Sequence, residues 1–207
     1  MQSNWISRHS DVINLCFHGI GTPARPLEPD EGQYWVEVRQ FEELLRTIRK
    51  YPSIRITFDD GNASDATYAL PALRAHDLEA TFFVIAGRLD EPGSLARSGV
   101  SALLSSGMTI GSHGMIHRPW RSLDDAALRS ELADSANVLG TLVGEPIREV
   151  SCPFGDYDRR VLAAIRKHGY ARAYTVDGAA AKDHAWLQSR YTVRSHDVNL
   201  RLYCRFH

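Results

Sequence analysis

The chain has 207 residues, 43% hydrophobic and 24% charged, a balance that supports one packed domain over residues 1–207 and excludes a disordered chain. With 24 Lys+Arg against 25 Asp+Glu the formal net charge is -1, so nothing electrostatic calls for nucleic acid or an anionic membrane as partner. No apolar run approaches the ~18 residues of a membrane span, and the start Met1-Gln2-Ser3-Asn4-Trp5 lacks a basic region followed by an apolar stretch, which predicts no signal peptide and a cytoplasmic location. Cys16, Cys152 and Cys204 are odd in number and far apart, a pattern of neither a disulfide framework nor a zinc ribbon.

In chain order, Val12–Phe17 reads as a strand and is followed by a Pro-rich, acidic stretch, Gly21–Gln33, expected to loop over the mouth of a site. Tyr34–Lys50 places Trp35, Val38, Phe41, Leu44, Leu45 and Ile48 at helical spacing. Ile54–Phe58 is a strand, Ala63–His76 a helix, Ala80–Ala86 a strand, Ser94–Ser106 a helix and Met108–Gly111 a strand. Ser122-Leu123-Asp124-Asp125 caps the long helix Asp124–Val143. Strand Glu149–Cys152, helix Tyr157–His168, strand Ala171–Val176 and a weaker seventh strand, Tyr191–Arg194, complete the series. Strand and helix in alternation predict an α/β fold with a parallel sheet. Periodicity does not choose between a closed barrel and an open sheet, but in both the functional face lies where strands end.

Polar residues gather at those ends. Strand 54–58 runs into Asp59-Asp60-Gly61, which is either an Asp-Gly turn or a pair of carboxylates needing a positive partner. Neighbouring side chains in extended backbone point apart, so one carboxylate can hold a metal while the other handles protons. Strand 108–111 leads into His113-Gly114-Met115-Ile116-His117, two imidazoles at a spacing metal sites use. One carboxylate and two imidazoles make an open, catalytic type of metal site. His18 ends the first strand, and an imidazole suits proton donation to a leaving group. Ser151-Cys152-Pro153-Phe154-Gly155 can aim backbone N–H groups at an oxyanion. Cys152 has no assigned base and reads as a small apolar residue. Neither GxGxxG nor a P-loop is present, so nucleotide binding has no support.

These residues together resemble the polysaccharide deacetylases, carbohydrate esterase family 4. Ile56-Thr57-Phe58-Asp59-Asp60-Gly61 is similar to the family's first motif, Gly111-Ser112-His113-Gly114-Met115-Ile116-His117 to the second, and Ser151-Cys152-Pro153-Phe154-Gly155 to the third; Ala80-Thr81-Phe82-Phe83-Val84 resembles the strand between the first two. The resemblance runs over about residues 12–195 and implies a distorted (β/α) barrel of about seven parallel strands. It implies one divalent metal, zinc first, with cobalt or nickel as alternatives, held by Asp60, His113 and His117. By the same resemblance Asp59 is the base for a metal-bound water and the Phe154 N–H an oxyanion donor. Two positions depart from the common pattern. The C-terminal Leu202-Tyr203-Cys204-Arg205-Phe206-His207 matches the usual Leu-x-His poorly, whereas Cys16-Phe17-His18-Gly19-Ile20 resembles the N-terminal Tyr-His-x-Ile of the circularly permuted, exopolysaccharide-deacetylating branch, which makes His18 the expected acid. Ser151 stands where many members carry an Arg, and Arg190, in a segment similar to one near the family's last strand, is expected to pair with Asp59 instead. Trp120, Pro153 and Tyr157 are assigned to the substrate side, Trp120 and Tyr157 as rings that stack on sugar.

The expected activity is metal-dependent removal of an N-acetyl group from an amino sugar, oligosaccharide or polysaccharide. The alternatives are an amidase for small non-sugar amides or ureides and an inactive carbohydrate-binding relative. Oligomeric state is left open.

Overall fold

The computed structural model describes residues 11–197. Strand β1 (Asp11–Phe17) is followed by β2 (Gly19–Ile20), β3 (Trp35–Val36) and helix α1 (Val38–Ile48). Then come β4 (Ile54–Phe58), α2 (Leu70–Ala75), β5 (Ala80–Val84), α3 (Arg97–Ser105), β6 (Thr109–Ser112), α4 (Asp125–Val143), β7 (Glu149–Ser151), α5 (Arg159–Lys167), β8 (Arg172–Tyr174), β9 (Ala181–Lys182), β10 (Leu187–Gln188) and β11 (Arg190–Thr192). The main sheet runs in the order β10-β8-β7-β6-β5-β4-β1-β11, parallel throughout, with β9 antiparallel on β1. Its two edges, β10 and β11, are separated in sequence only by Ser189. One short segment therefore pairs with both ends of the sheet and nearly closes it into a barrel. The predicted seventh strand, Tyr191–Arg194, exists as β11, starting one residue earlier and ending two earlier, and β10 just before it was not predicted.

Alternation fixes what each side of the barrel wall carries. On β4, Ile54, Ile56 and Phe58 are buried against helices, and the rings of Phe17, Phe41, Phe58 and Phe82 pack with centroids 4.6–5.9 Å apart, Phe41 edge-on to Phe17 and Phe58. The opposite parity carries Asn14 and Cys16 on β1 and Thr57 and then Asp59 on β4. With Ser151, Thr175, Gln188 and Arg190 these make a buried polar group inside the barrel. The seam is held there: Asn14 Nδ2 donates to Gln188 Oε1 and to the Ser189 carbonyl, both at 3.0 Å.

Three expectations are corrected. The predicted strand Ala80–Ala86 stops at Val84, because the N–H groups of Ile85, Ala86 and Gly87 turn to donate to the carbonyls of Asp60, Gly114 and Met115. The predicted helix Ala63–His76 begins where expected, at Ala63, but widens into a π turn over Asp65–Ala69 before resuming as α-helix at Leu70 and ending at Ala75. Pro71 has no N–H for the Thr67 carbonyl and its ring clashes there, so the preceding turn widens. The predicted helix Tyr34–Lys50 starts at Val38, since Trp35–Val36 pair with Gly19–Ile20. A Cβ on Gly19 would lie 2.1 Å from the Trp35 ring, so only glycine fits. No helix among the described residues is long and apolar enough to cross a membrane. The C-terminal Leu202–His207, with Cys204, lies outside the described residues.

Candidate active site

The C-terminal ends of β1, β4, β6, β7 and β11 converge on one cavity of about 370 Å³. His18, Asp59, Asp60, His113, His117 and Phe154 line it together with the loop residues Glu28 to Glu31. The acidic stretch thus stands at the mouth as expected. Arg25 ties it down: the guanidinium donates to Glu31 and, at 3.1 Å, to Asn62 Oδ1, next to the Asp pair. Arg88 donates to Glu28 at 3.0 Å. A larger cavity of about 750 Å³ opens at the other end of the barrel, around Arg55, Thr81, Glu149 and Arg172. The carboxylate–imidazole triplet is absent there, so the smaller cavity is the one with chemistry.

Asp59 keeps the inward parity of β4 and meets Arg190. The guanidinium forks onto both carboxylate oxygens at 2.7 Å, and both side chains are buried. Nη1 also donates to Thr57 Oγ1 at 3.1 Å, Nη2 to Ser151 Oγ at 2.6 Å and Nε to the Thr175 carbonyl at 3.0 Å. Ser151 Oγ in turn donates to Asp59 Oδ2 at 3.1 Å. Burial by itself would raise the Asp59 pKa, but Arg190, aided by His113, overrides it and holds the carboxyl well below the usual range. Burial likewise works against the charge on Arg190, and Asp59 more than restores it.

Asp60 takes φ 76, a left-handed conformation that few non-glycine residues adopt. That turn breaks the strand alternation and swings its carboxylate away from Asp59 and towards two imidazoles. Asp60 Oδ1 lies 3.4 Å from His117 Nε2 and 3.6 Å from His113 Nε2. His113 Nδ1 sits 3.0 Å from the Ser151 carbonyl, an acceptor only, so Nδ1 is the donor there and Nε2 is the ring nitrogen that faces Asp60. Burial, then His113, push His117 down to about 4 against the pull of Asp60, so the imidazole is neutral. The three donor atoms lie within 4.8 Å of one another, and Asp60 Oδ1 is buried without a hydrogen-bond partner. Separations of 3.4–3.6 Å are long for hydrogen bonds. They match the ~3.3 Å edge of a tetrahedron with ligand bonds of about 2.0–2.1 Å. An orphaned buried carboxylate oxygen facing two imidazole Nε2 atoms fits a divalent cation.

His18 extends the inward face of β1, half-buried at the cavity wall, with its ring stacked on Tyr34 at 5.0 Å. Cys16, His18 and Asp59 also bring donor atoms within 4.8 Å of one another, but both Asp59 oxygens belong to Arg190. Phe154 takes φ 59 and Gly155 φ 64, and the Phe154 ring stands 56% exposed beside His117 at 4.3 Å. Strain at three non-glycine residues of one site, Asp60, His117 (φ 56) and Phe154, is typical of functional positions. Cys152 is buried, its thiol pushed up to about 12 by that burial, so it offers no thiolate.

The substrate-side assignments need correction. Trp120 is fully buried in the core and has no face to offer a sugar. Pro153 is buried and does not line the cavity. Tyr157 is half-buried and outside the cavity lining, its hydroxyl donating to Asp177 at 2.9 Å. The lining residues that sequence reasoning passed over, Tyr34, Arg88, Val176 and Thr192, come from separate segments of the chain and share no spacing that could have marked them. Thr57 did carry a signal: it sits two residues before Asp59 on the same strand face.

Residues 47–173 match the family model for polysaccharide deacetylase. The chain is 31% identical over 144 residues to YxkH of Bacillus subtilis (strain 168), whose name assigns it provisionally to the polysaccharide deacetylases; the match covers 68% of this chain and 52% of YxkH. The chain therefore spans about half the length of that relative. Its fold is similar to the Streptococcus pyogenes deacetylase PplD (TM-score 0.78, 18% identity, 90% of this chain and 94% of that one). It is also similar to IcaB from Ammonifex degensii (TM-score 0.75, 20% identity, 91% and 94%). The barrel and the sequence matches agree, and the chain belongs to the polysaccharide deacetylase family.

Proposed function

We propose that this chain hydrolyses the N-acetyl group of an amino sugar within an oligo- or polysaccharide, releasing acetate and a free amine. One juxtaposition carries the reading: a carboxylate held ionised by Arg190 stands next to a second carboxylate that faces two imidazoles. Asp60, His113 and His117 would hold one divalent ion, zinc before cobalt or nickel by their nitrogen-rich donor set. When bound, such an ion polarises an acyl carbonyl and makes nearby water more acidic.

The remaining work falls to the chain. Asp59 accepts a proton from the attacking water, and the Arg190 fork keeps the carboxylate ionised and correctly aimed. The Phe154 N–H, turned by its left-handed backbone, donates to the carbonyl oxygen as negative charge develops there. His18, on the opposite wall, protonates the nitrogen as the C–N bond breaks, so the sugar leaves as a neutral amine. The Gly21–Gln33 loop and Phe154 shape the mouth for the sugar.

Acetate release from N-acetylglucosamine oligomers, with simple amides alongside, tests the reading. The zinc-loaded chain is expected to release acetate from the oligomers only, and Asp59→Asn to lose about 10²–10⁴-fold in kcat. Equal turnover of simple amides would favour the amidase, and full activity in Asp59→Asn would overturn the role of that carboxylate.

A further inference from the structure

The segment between the two histidines makes no regular secondary structure, yet each of its backbone groups from 114 to 116 that bonds does so to a defined partner. The carbonyls of Gly114 and Met115 accept from the N–H groups of Ala86 and Gly87 at 3.0 and 2.9 Å. On the other side the N–H groups face helix α4. Gly114 N–H donates to Ser112 Oγ at 3.1 Å, and that hydroxyl pairs with Ser135 Oγ at 2.8 Å. Met115 and Ile116 N–H both donate to one oxygen, Glu131 Oε2, at 2.7 and 3.4 Å.

Glu131 is buried, only 5% exposed, in the middle of an otherwise amphipathic helix. A carboxylate is costly there unless its oxygens are used, and these two N–H groups use one. Gly114 lets the helix approach: a Cβ at φ +80 would lie 2.5 Å from Glu131 Oε2 and 3.3 Å from the Trp120 ring. The buried Trp120 thus backs this loop. Immediately after the clamped stretch, His117 takes φ 56, a conformation that persists only when its surroundings over-determine it.

We propose that Glu131 is a positioning residue: by binding the Met115 and Ile116 N–H groups from behind, its carboxylate sets His117 opposite Asp60 before any metal arrives and thereby raises metal affinity. The inference rests on the metal reading of Asp60, His113 and His117. It does not require Glu131 to touch metal or substrate.

The test is zinc affinity of the full chain by chelator competition for the parent, Glu131→Leu and Glu131→Gln. It is joined to amide exchange of Met115 and Ile116 in metal-free parent protein. Leucine keeps the volume and removes the acceptor; glutamine keeps an acceptor oxygen. Glu131→Leu is expected to raise the zinc Kd at least about tenfold, and Glu131→Gln to stay within about threefold of the parent. In the parent both amides are expected to exchange at least about 100-fold slower than an open loop. A folded Glu131→Leu that melts earlier yet binds zinc as the parent does would make Glu131 a fold residue only and overturn the proposal. Should Glu131→Leu fail to fold, fast exchange of the two amides in the parent would overturn it equally. A parent that binds no zinc would instead bring down the metal reading itself, an outcome distinct from the first two.

Discussion

At Asp59 two opposing effects meet, burial raising the carboxyl pKa and the Arg190 guanidinium lowering it, and the second wins. The consequence for pH has a definite sign. A carboxyl whose folded pKa is depressed adds stability that is fully present above its unfolded value, about 3.9, and is lost as pH falls through the lower folded value. Asp59 therefore stays ionised across any ordinary assay range, and the acid limb of kcat/KM in the parent belongs to another group. Arg190→Lys removes the fork and the contacts to Thr57, Ser151 and the Thr175 carbonyl while burial remains. The Asp59 carboxyl is then expected to titrate higher by about one unit or more, about 1.4 kcal/mol of lost preference for the ionised form; carboxylate NMR showing its titration unmoved would contradict the pairing. His18→Ala is expected to keep its zinc and lose about 10²–10⁴-fold in kcat, and near-normal turnover would remove it as the acid. At this scale the sequence was most legible where neighbours in the chain share a job: Asp59-Asp60, and His113 with His117. Arg190 was readable as a partner, but its link through Ser151 was not, because the contacts among 59, 151 and 190 span 92, 39 and 131 residues. Trp120 was misread for a related reason: an exposed and a buried aromatic after a turn look alike until the helix behind the loop is in place.

Among the elements, the closing pair of short strands, β10 and β11, brings Arg190 to the site. β10 and β11 pair with opposite edges of the sheet, and Arg190 is the first residue of β11. Asn14, on the inward face of β1, donates to both Gln188 and Ser189 and so ties the closing segment to the barrel wall. Asn14→Ala leaves a buried amide oxygen and a carbonyl without that donor, a loss of about 1–3 kcal/mol. For a chain of this size the midpoint of thermal unfolding is expected to fall by about 2–12 °C. A melting curve within about 1 °C of the parent would show that the seam does not hold closure. The first six strands were legible as apolar runs because their outward faces meet helices. The closing strands read weakly, β11 only from Tyr191 onward and β10 not at all, because their buried residues Gln188 and Arg190 are polar and face the barrel interior. The π turn inside the second helix had a visible cause, Pro71, which offers no N–H to the Thr67 carbonyl and so widens the turn before it.

For the molecule as a whole, the barrel places polar residues inside and apolar residues outside against helices, and every candidate reacting group stands at the C-terminal rim. This arrangement makes strong inward charge tolerable: Asp59 and Arg190 are buried, yet all five N–H groups of Arg190 have acceptors and each Asp59 oxygen accepts at least one hydrogen bond. It also leaves Asp60 Oδ1 as the buried oxygen at the rim that no protein donor satisfies, facing His113 and His117. The proposed function stands on this triplet holding one divalent ion on which hydrolysis depends. Its most direct test is to strip the protein with a chelator and titrate zinc back while following acetate release from N-acetylglucosamine oligomers, with His113→Ala in parallel. Release is expected to be absent at first, to rise in proportion to added zinc and to break at about one equivalent, while His113→Ala stays inactive at that stoichiometry. Full release from the stripped protein, or equal activation of His113→Ala, would contradict the account.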